Sequence, residues 1–298
     1  PQAKEKRARL AELLTERCRA VLHHPELRAL ERAWRSAHWL ASRLEDDQAA
    51  VHLVHLPKAA LAAHVADAGQ HLDRSPLHSL LTAHRDGKWD VIVGDYSFDL
   101  AANDLVLLAT LGALAARTGA PFLAHGELAL AGCGGDDVDE PWSWRFADEG
   151  LAQLWGELRS HPAAQWIALA TPRFLLRQPY GAKTDAIERF AFEELPSRPP
   201  RDRFLWGNPA FACALLIAQS RASGEGSVWP STASGSVDDL PMAIYGDGGG
   251  DAIQLSLEHA FGERARAALA EHGLVAFTGG RNTNRIAAAS IESIAAEN

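Results

Sequence analysis

Two arginines lie four residues apart in the run TPRFLLRQPYG, which spans residues 171–181. If this run is helical, Arg173 and Arg177 project from one face while the apolar residues between them pack on another. Arginines placed among apolar residues need carboxylate partners. Three candidate partners follow downstream: Glu188, Glu193 and Glu194. Two interpretations stay open, and the sequence favours the first: a buried ion-pair framework, or an arginine site for a bound anion.

A second group of polar residues follows the apolar run at 89–93, which predicts a buried parallel strand. Gly94 and Asp95 then come at the carboxyl end of that strand, where α/β enzymes place their ligands. Asp95 and Asp99 could act as a carboxylate pair in acid/base chemistry. However, no nucleophile with a neighbouring base is evident, and the adjacent aromatic residues suit packing or an interface. A structural or interface role is therefore favoured over an enzymatic or ligand-binding role.

Thirteen histidines and three scattered cysteines raise the question of a metal site. His52 and His55 are three residues apart in a predicted strand and so face opposite sides, and no HExxH or paired Cys/His spacing occurs. The glycine run at 246–250 resembles a phosphate-binding loop only superficially, because it lacks the Lys-Ser/Thr pair that opens a helix in such loops. A turn is predicted there. The residues alone predict no catalytic residue, no cofactor and no metal.

The composition narrows the class of protein. The chain has 298 residues and a formal charge of −9, with 47% apolar and 22% charged residues. The acidic balance disfavours partners such as nucleic acid or an anionic membrane. The longest apolar stretch, residues 105–116, is shorter than the ~20 residues that a membrane span needs. Unpaired cysteines fit reduced thiols, so a cytoplasmic protein with no membrane insertion is predicted.

The polar residues above must be positioned by helices and strands. Two amphipathic helices are predicted in residues 1–48, at the start of the chain. The first apolar stripe consists of Leu10, Leu13, Leu14, Cys18 and Val21, and the second of Leu27, Leu30, Trp34, Ala37, Ala41 and Leu44. A pair of helices that covers a sheet is favoured over an exposed binding helix.

Residues 49–298 alternate between strand and helix patterns, which predicts an α/β domain: a layered mixed sheet flanked by helices. Strands are predicted at 51–56, 89–93, 120–124, 253–257, 274–277 and 285–290. Helices are predicted at 58–68, from 75, at 103–117, at 149–160, from Asn208 and Pro209, and up to 272. The glycine- and serine-rich stretch near 220–240 is predicted to be an irregular insertion.

Seven motifs occur in order from about residue 21 to residue 290: HHPELRALERAWRSAHWL, VGDYSFD, APFLAHG, ATPRFLLRQPYG, ERFAFEE, FLWGNPAFA and GLVAFTGGRNTNRIAAAS. Together they resemble the large contractile-sheath subunit of bacterial type VI secretion systems, the TssC/VipB family. The resemblance implies a sheath-subunit-like fold and a structural protein that is not an enzyme. Eight residues in these motifs would define the fold instead of forming a site: Gly94, Asp95, Arg173, Arg177, Tyr180, Gly181, Trp206 and Asn208.

The same resemblance implies the partners. In that family the large subunit pairs with a small subunit (TssB/VipA), and the pairs polymerise around an inner tube. Further expected contacts are other sheath subunits, a baseplate and the ATP-dependent unfoldase that recycles the contracted sheath.

The chain also departs from the family pattern. It starts almost directly at the helix before HHPEL, without the usual N-terminal extension, and it ends at Asn298, without the family's C-terminal domain. Asn284 and Arg285 replace an aromatic residue of the family. Two expectations follow: the chain is a fragment of a sheath subunit, or it is a shortened relative that does not polymerise and acts as an adaptor, cap or regulator.

Overall fold

The computed structural model describes residues 2–45, 49–68, 75–82, 89–135, 137–196, 199–224, 229, 233–246 and 252–296. The helices in these residues are α1 (Gln2–Leu22), α2 (Pro25–Ala41), α3 (Lys58–Ala68), α4 (Pro76–Thr82), α5 (Ala102–Thr118), α6 (Glu149–Ser160), α7 (Ala210–Ala222) and α8 (Glu263–Glu271). The strands are β1 (Ile92–Phe98), β2 (Phe122–Gly126), β3 (Ile167–Thr171), β4 (Phe174–Leu175), β5 (Trp206–Gly207), β6 (Ala233–Val237), β7 (Ala243–Gly246), β8 (Ala252–Leu255), β9 (Leu274–Ala276), β10 (Thr278–Gly279) and β11 (Ile286–Ile291).

The centre of the fold is a four-stranded parallel sheet in the order β1-β2-β3-β9. Strands β2 and β3 are buried along their whole length, because helices cover both faces of the sheet. Leu123, Ala168 and Ala170 face one hydrophobic cluster, which includes the buried part of α7. Ile167 and Leu169 face the other, which includes residues of α5, α6 and α8. The period of two along the strands thus divides the core into two layers.

Smaller antiparallel sheets complete the architecture. Their orders are β10-β11-β6, β4-β5 and β7-β8. The parallel and antiparallel parts together confirm the predicted α/β class with helices flanking the sheet. The predicted division of the chain at residue 48 stays a prediction.

Two strand predictions are corrected. Residues 49–57 form neither helix nor strand, and Val51, Leu53 and Val54 are exposed. The apolar run at 89–93 was expected to be a strand that ends before Gly94, yet β1 begins at Ile92 and continues to Phe98. The cause is its pairing with β2, which extends from Ile92 to Phe98 and places Gly94 and Asp95 inside the strand.

The predicted irregular insertion near 220–240 is wrong for residues 233–237, which form β6 and pair with β11. The sequence ASGSV has little apolar periodicity, but its backbone completes the antiparallel sheet, and Ala233 and Val237 are buried. Residues 225–228 and 230–232 lie outside the described residues, as does most of the glycine run at 246–250.

The prediction that both N-terminal helices cover a sheet is also corrected. Helix α2 does contribute to the core, but through Trp39 and Leu40, which are not residues of its predicted stripe. Leu30 and Trp34 of that stripe are exposed. Helix α1 meets the body through a different side, where Arg19 Nε donates to the carbonyl oxygen of Glu193 at 2.8 Å. Its predicted apolar stripe is mostly exposed: Leu10, Leu13, Leu14 and Val21 all lie open to solvent.

Candidate functional site

The run at 171–181 forms strand and loop and not a helix, so Arg173 and Arg177 do not share a helix face. The backbone N–H groups of Leu175 and Leu176 donate to the carbonyl oxygens of Ser256 and Leu205, at 2.8 and 3.0 Å. Neighbouring segments therefore satisfy the donors that a helix would have satisfied four residues back. The two arginines consequently belong to separate ion clusters.

Arg177 lies at the centre of the first cluster, which ties α2 to the core. Its Nη1 and Nη2 atoms donate to the two carboxylate oxygens of Glu194 at 2.7 and 3.0 Å. Its Nε donates to Oε1 of Glu31, on α2, at 2.7 Å. The guanidinium also lies 4.6 Å from the ring centroid of Tyr180, whose backbone N–H donates to Glu194. A planar donor fork with one buried and one partly buried carboxylate and an aromatic face is a framework geometry that leaves little of the arginine for a ligand.

The pKa shifts of Arg177 and Glu31 both favour their charged forms. Burial by itself disfavours the charged form of Arg177, but hydrogen bonds to Glu194 and Glu31 raise its pKa above the ordinary value. Burial likewise acts to raise the pKa of Glu31, yet the hydrogen bond from Arg177 lowers it overall. Arg177 and Glu31 are therefore ionised throughout the physiological pH range.

Arg173 forms the second cluster, at the carboxyl end of the parallel sheet. Its Nε and Nη2 atoms donate to both oxygens of Glu258 at 2.8 and 2.5 Å. Burial opposes the charge of Glu258, but the Arg173 hydrogen bond lowers the pKa of this carboxyl. Next to this pair, Arg201 Nη1 donates to Nδ1 of His259 at 3.0 Å. Both arginines of the run thus have the ion-pair role that the sequence favoured over an anion site.

Asn208 joins the edge strand β1 to the start of α7. Its Nδ2 donates to the carbonyl oxygens of Gly94 and Tyr96 at 3.2 and 3.1 Å, and its Oδ1 accepts from the backbone N–H of Ala210 at 3.0 Å. One buried amide thus satisfies two carbonyls on the open side of β1 and one donor at a helix start. Asp95 lies beside it, and burial raises the pKa of that carboxyl.

The proposed carboxylate pair of Asp95 and Asp99 receives no support from the contacts. Asp95 interacts with Asn208 and Arg32, whereas Asp99 Oδ1 accepts from the backbone N–H of Leu100. The two side chains therefore have different partners.

The remaining predicted residues also belong to the framework. The indole N–H of Trp206 donates to the carbonyl oxygen of Arg201 at 2.7 Å. A Cβ at Gly181 would lie 2.5 Å from Oε2 of Glu193, so a side chain there meets the carboxylate that Ala182 N–H binds. The structure thus gathers Arg177, Tyr180 and Gly181 in one group, and Gly94, Asp95 and Asn208 in another.

Two carboxylates of these groups were not identified in the sequence analysis. Glu31 and Glu258 lie 146 and 85 residues away from their arginines, and nothing in the local pattern marks them. Glu194, which was predicted as a partner, is confirmed.

A third polar group, also missed, lies at the carboxyl edge of the sheet. Ser97 Oγ contacts Nδ1 of His125 and donates to Oε1 of Glu127 at 2.7 Å. Because the single hydroxyl proton is committed to Glu127, His125 is the donor to Ser97 and does not act as a base towards it. Burial lowers the pKa of His125 to about 3, which further weakens it as a base. The resemblance to a nucleophile-base pair is therefore only in composition.

No three His, Cys, Asp or Glu side chains among the described residues come together as metal ligands would. No helix in the described ranges combines the length and the apolar character needed to cross a membrane.

The family of the chain follows from its similarity to known proteins. The model of the VipB family, described as EvpB/VC_A0108, tail sheath N-terminal domain, matches residues 4–295. A Pseudomonas aeruginosa protein named type VI secretion system sheath protein TssC1 is 30% identical to the chain over 303 aligned positions. The alignment covers 94% of the chain and 59% of the length of TssC1, so the chain spans well under two thirds of this relative.

Proposed function

The chain belongs to the VipB/TssC family of type VI secretion sheath proteins, and on that premise we propose that it is a structural component of a contractile sheath. In this role it pairs with a small sheath subunit of the TssB/VipA kind in the cytoplasm and packs against other sheath subunits. The observation that carries the proposal is the family match, which runs through nearly the whole chain.

The ion clusters join segments that are distant in the sequence. Arg177 connects α2 to the segment that follows β4, through contacts that are 146 and 17 residues apart in sequence. Arg173 connects the carboxyl end of the parallel sheet to the segment after β8. Buried bidentate ion pairs fix orientation, because moving either partner leaves a charge uncompensated in the interior. Such cross-links suit a subunit that must transmit force as one body.

Exposed apolar residues support assembly. Leu30 and Trp34 project from α2, Leu53 and Val54 lie in the exposed segment after it, and Trp142 is exposed elsewhere. Leu30 and Trp34 are four residues apart and so share one face of α2. Large apolar side chains that lie together on a surface are typical of protein-protein contacts.

Co-expression with a small sheath subunit of the TssB/VipA kind tests the proposal. We expect the two proteins to co-purify and to form tubes in negative-stain electron microscopy. Trp34→Ser, at an exposed site, should reduce assembly, whereas Val106→Ser, at an exposed site on α5, is the matched control. If the two proteins do not bind under conditions in which both are folded, the proposal is wrong.

A second candidate function is that of an adaptor, cap or regulator that binds sheath components without polymerising. A discrete complex of defined mass in size-exclusion chromatography with light scattering, in place of tubes, would favour this role. Contacts with the inner tube, the baseplate and the recycling unfoldase belong to the same proposal, and pull-downs with each purified protein test them.

A further inference from the structure

Helix α1 carries a regular exposed pattern that the fold does not use. Five residues, Arg7, Leu10, Leu14, Arg17 and Val21, follow one another at spacings of three, four, three and four. This is the spacing of the core positions of a coiled coil, which recur every 3.5 residues on one side of a helix. We call these five residues the α1 seam.

The seam is open to solvent. Leu10, Leu14 and Val21 are 58%, 44% and 60% exposed, and both seam arginines are exposed as well. Helix α1 contacts the body through its other side, where Thr15, Cys18 and Leu22 are partly buried. The seam and the body-facing side are thus different faces of one helix, so the fold anchors α1 without covering the seam.

The two charged residues of the seam are both basic, and α1 as a whole is basic. The sequence of α1 contains six basic and three acidic residues, a formal charge of +3 in a chain whose formal charge is −9. The acidic residues Glu5, Glu12 and Glu16 fall outside the seam, on the far side of the helix by the heptad spacing. Neither Arg7 nor Arg17 forms an ion pair within the described part of the chain.

We propose that the α1 seam binds one acidic amphipathic helix of another protein, in a coiled-coil-like contact in which carboxylates of the partner face Arg7 and Arg17. Two arginines at core positions select a partner with acidic residues opposite them, as polar core residues set partner choice in coiled coils. Leu13, 52% exposed beside the seam, widens the apolar contact.

The charge argues against two other occupants. A second copy of α1 would place arginine against arginine in a parallel pairing, which like-charge repulsion disfavours. In an antiparallel pairing centred on Leu14 it would place each arginine against Leu10 or Val21, without a carboxylate. A membrane surface would need a broad apolar face with Trp or Phe, whereas α1 has neither and carries Arg17 in the middle of its narrow stripe. An acidic helix satisfies both the apolar spacing and the arginines.

The test uses the full chain and two labelled synthetic peptides. Both peptides are about three heptads long with leucine at the core positions, and they carry either glutamate or lysine opposite the arginines. Fluorescence anisotropy at low salt should show the glutamate peptide binding at least about tenfold more tightly than the lysine peptide, with a difference that shrinks as salt is added. Equal binding of the two peptides, or none, would overturn the proposal.

Matched variants locate the contact. Arg17→Glu should weaken binding of the glutamate peptide about tenfold, whereas Arg9→Glu, which makes the same charge change outside the seam of the same helix, should change it less than about twofold. Leu14→Ser should abolish binding, and Val106→Ser should not. Circular dichroism confirms that each variant is folded.

Three other results would also refute the proposal. These are an Arg9→Glu effect as large as that of Arg17→Glu, adsorption to phosphatidylglycerol vesicles without peptide binding, and a concentration-dependent dimer that Leu14→Ser dissolves without peptide binding. The proposal does not depend on the sheath role. Peptide binding can succeed even where co-expression gives no tubes, so the two failures are distinguishable.

Discussion

Removing the Arg177 guanidinium should destabilise the protein strongly, because the buried carboxylate of Glu194 would lose its arginine, while Glu31 would keep only Arg35. Arg177→Met preserves much of the apolar stem and deletes the bonds to Glu194 and Glu31 at 2.7–3.0 Å. Glu194 is 5% exposed, so water cannot replace the lost donors in full. Breaking a buried ion pair from one side costs about 3–5 kcal/mol, and we expect Arg177→Met to lower the unfolding free energy by that amount.

Urea denaturation followed by tryptophan fluorescence measures this loss, and a triple variant tests its cause. Adding Glu31→Gln and Glu194→Gln to Arg177→Met removes both carboxylate charges that Arg177 neutralises, so most of the stability should return. Arg285→Met is the control, because Arg285 pairs with Asp238 in an exposed position. The reasoning is refuted if Arg177→Met costs no more than Arg285→Met, or if the triple variant is no more stable than the single one.

Three further predictions concern the sheet and its edge. Gly94→Ala would place a Cβ 2.5 Å from the ring of Phe122, so the unfolding free energy from urea titration should fall by about 1–3 kcal/mol. His125 is neutral in the fold, with a pKa lowered by burial to about 3. Its contribution to stability is therefore complete above pH ~6.5 and is lost as the pH falls towards 3, on the order of 2 kcal/mol by pH 5. Burial raises the pKa of Asp95, so its ionisation opposes folding as the pH rises, and Asp95→Asn should raise the melting temperature at pH 7.

Each of these predictions has a result that contradicts it. Gly94→Ala with wild-type stability would mean that β1 and Phe122 can separate without cost. A His125→Gln variant that retains the full loss of stability between pH 7 and pH 5 would assign the effect to other groups, such as His23 or His259, whose pKa values burial also lowers. For Asp95→Asn, the gain in melting temperature should shrink at acidic pH, and a constant gain would exclude the carboxylate charge as its cause.

The sequence predicted the helices better than the boundaries of the strands. Residues 58–68 and 149–160 were predicted as helices with the bounds that α3 and α6 have. Local signals set both, since apolar spacing and capping are properties of neighbouring residues. The start of β1 depends instead on where β2 offers hydrogen bonds, and residues 51–56 have strand-like composition without a ladder. The boundaries of a strand therefore depend on the strand it pairs with, which a local sequence pattern does not identify.

The contacts of the candidate site also fall into those with a local signal in the sequence and those without one. Asn208 was expected to cap a helix from its place before Pro209, and its Oδ1 does accept from Ala210 N–H. Its second role, the two bonds to carbonyls of β1, has no local signal because β1 is more than a hundred residues away. Arg173 was similarly recognisable as a residue in need of a carboxylate, but only the fold identifies Glu258 as that carboxylate.

Helices α1 and α2 show what an apolar stripe can and cannot determine. Both have apolar residues at helical spacing, and both were expected to cover a sheet. Trp39 of α2 is buried beside Phe174, at a ring-centroid distance of 4.8 Å, whereas Leu10 and Val21 of α1 are more exposed than buried. Spacing fixes which side of a helix is apolar, but it does not say whether the surface that covers this side belongs to the same chain. In α1 the two seam arginines carry that information, because an arginine at a core position fits a partner with carboxylates better than it fits the protein's own apolar core.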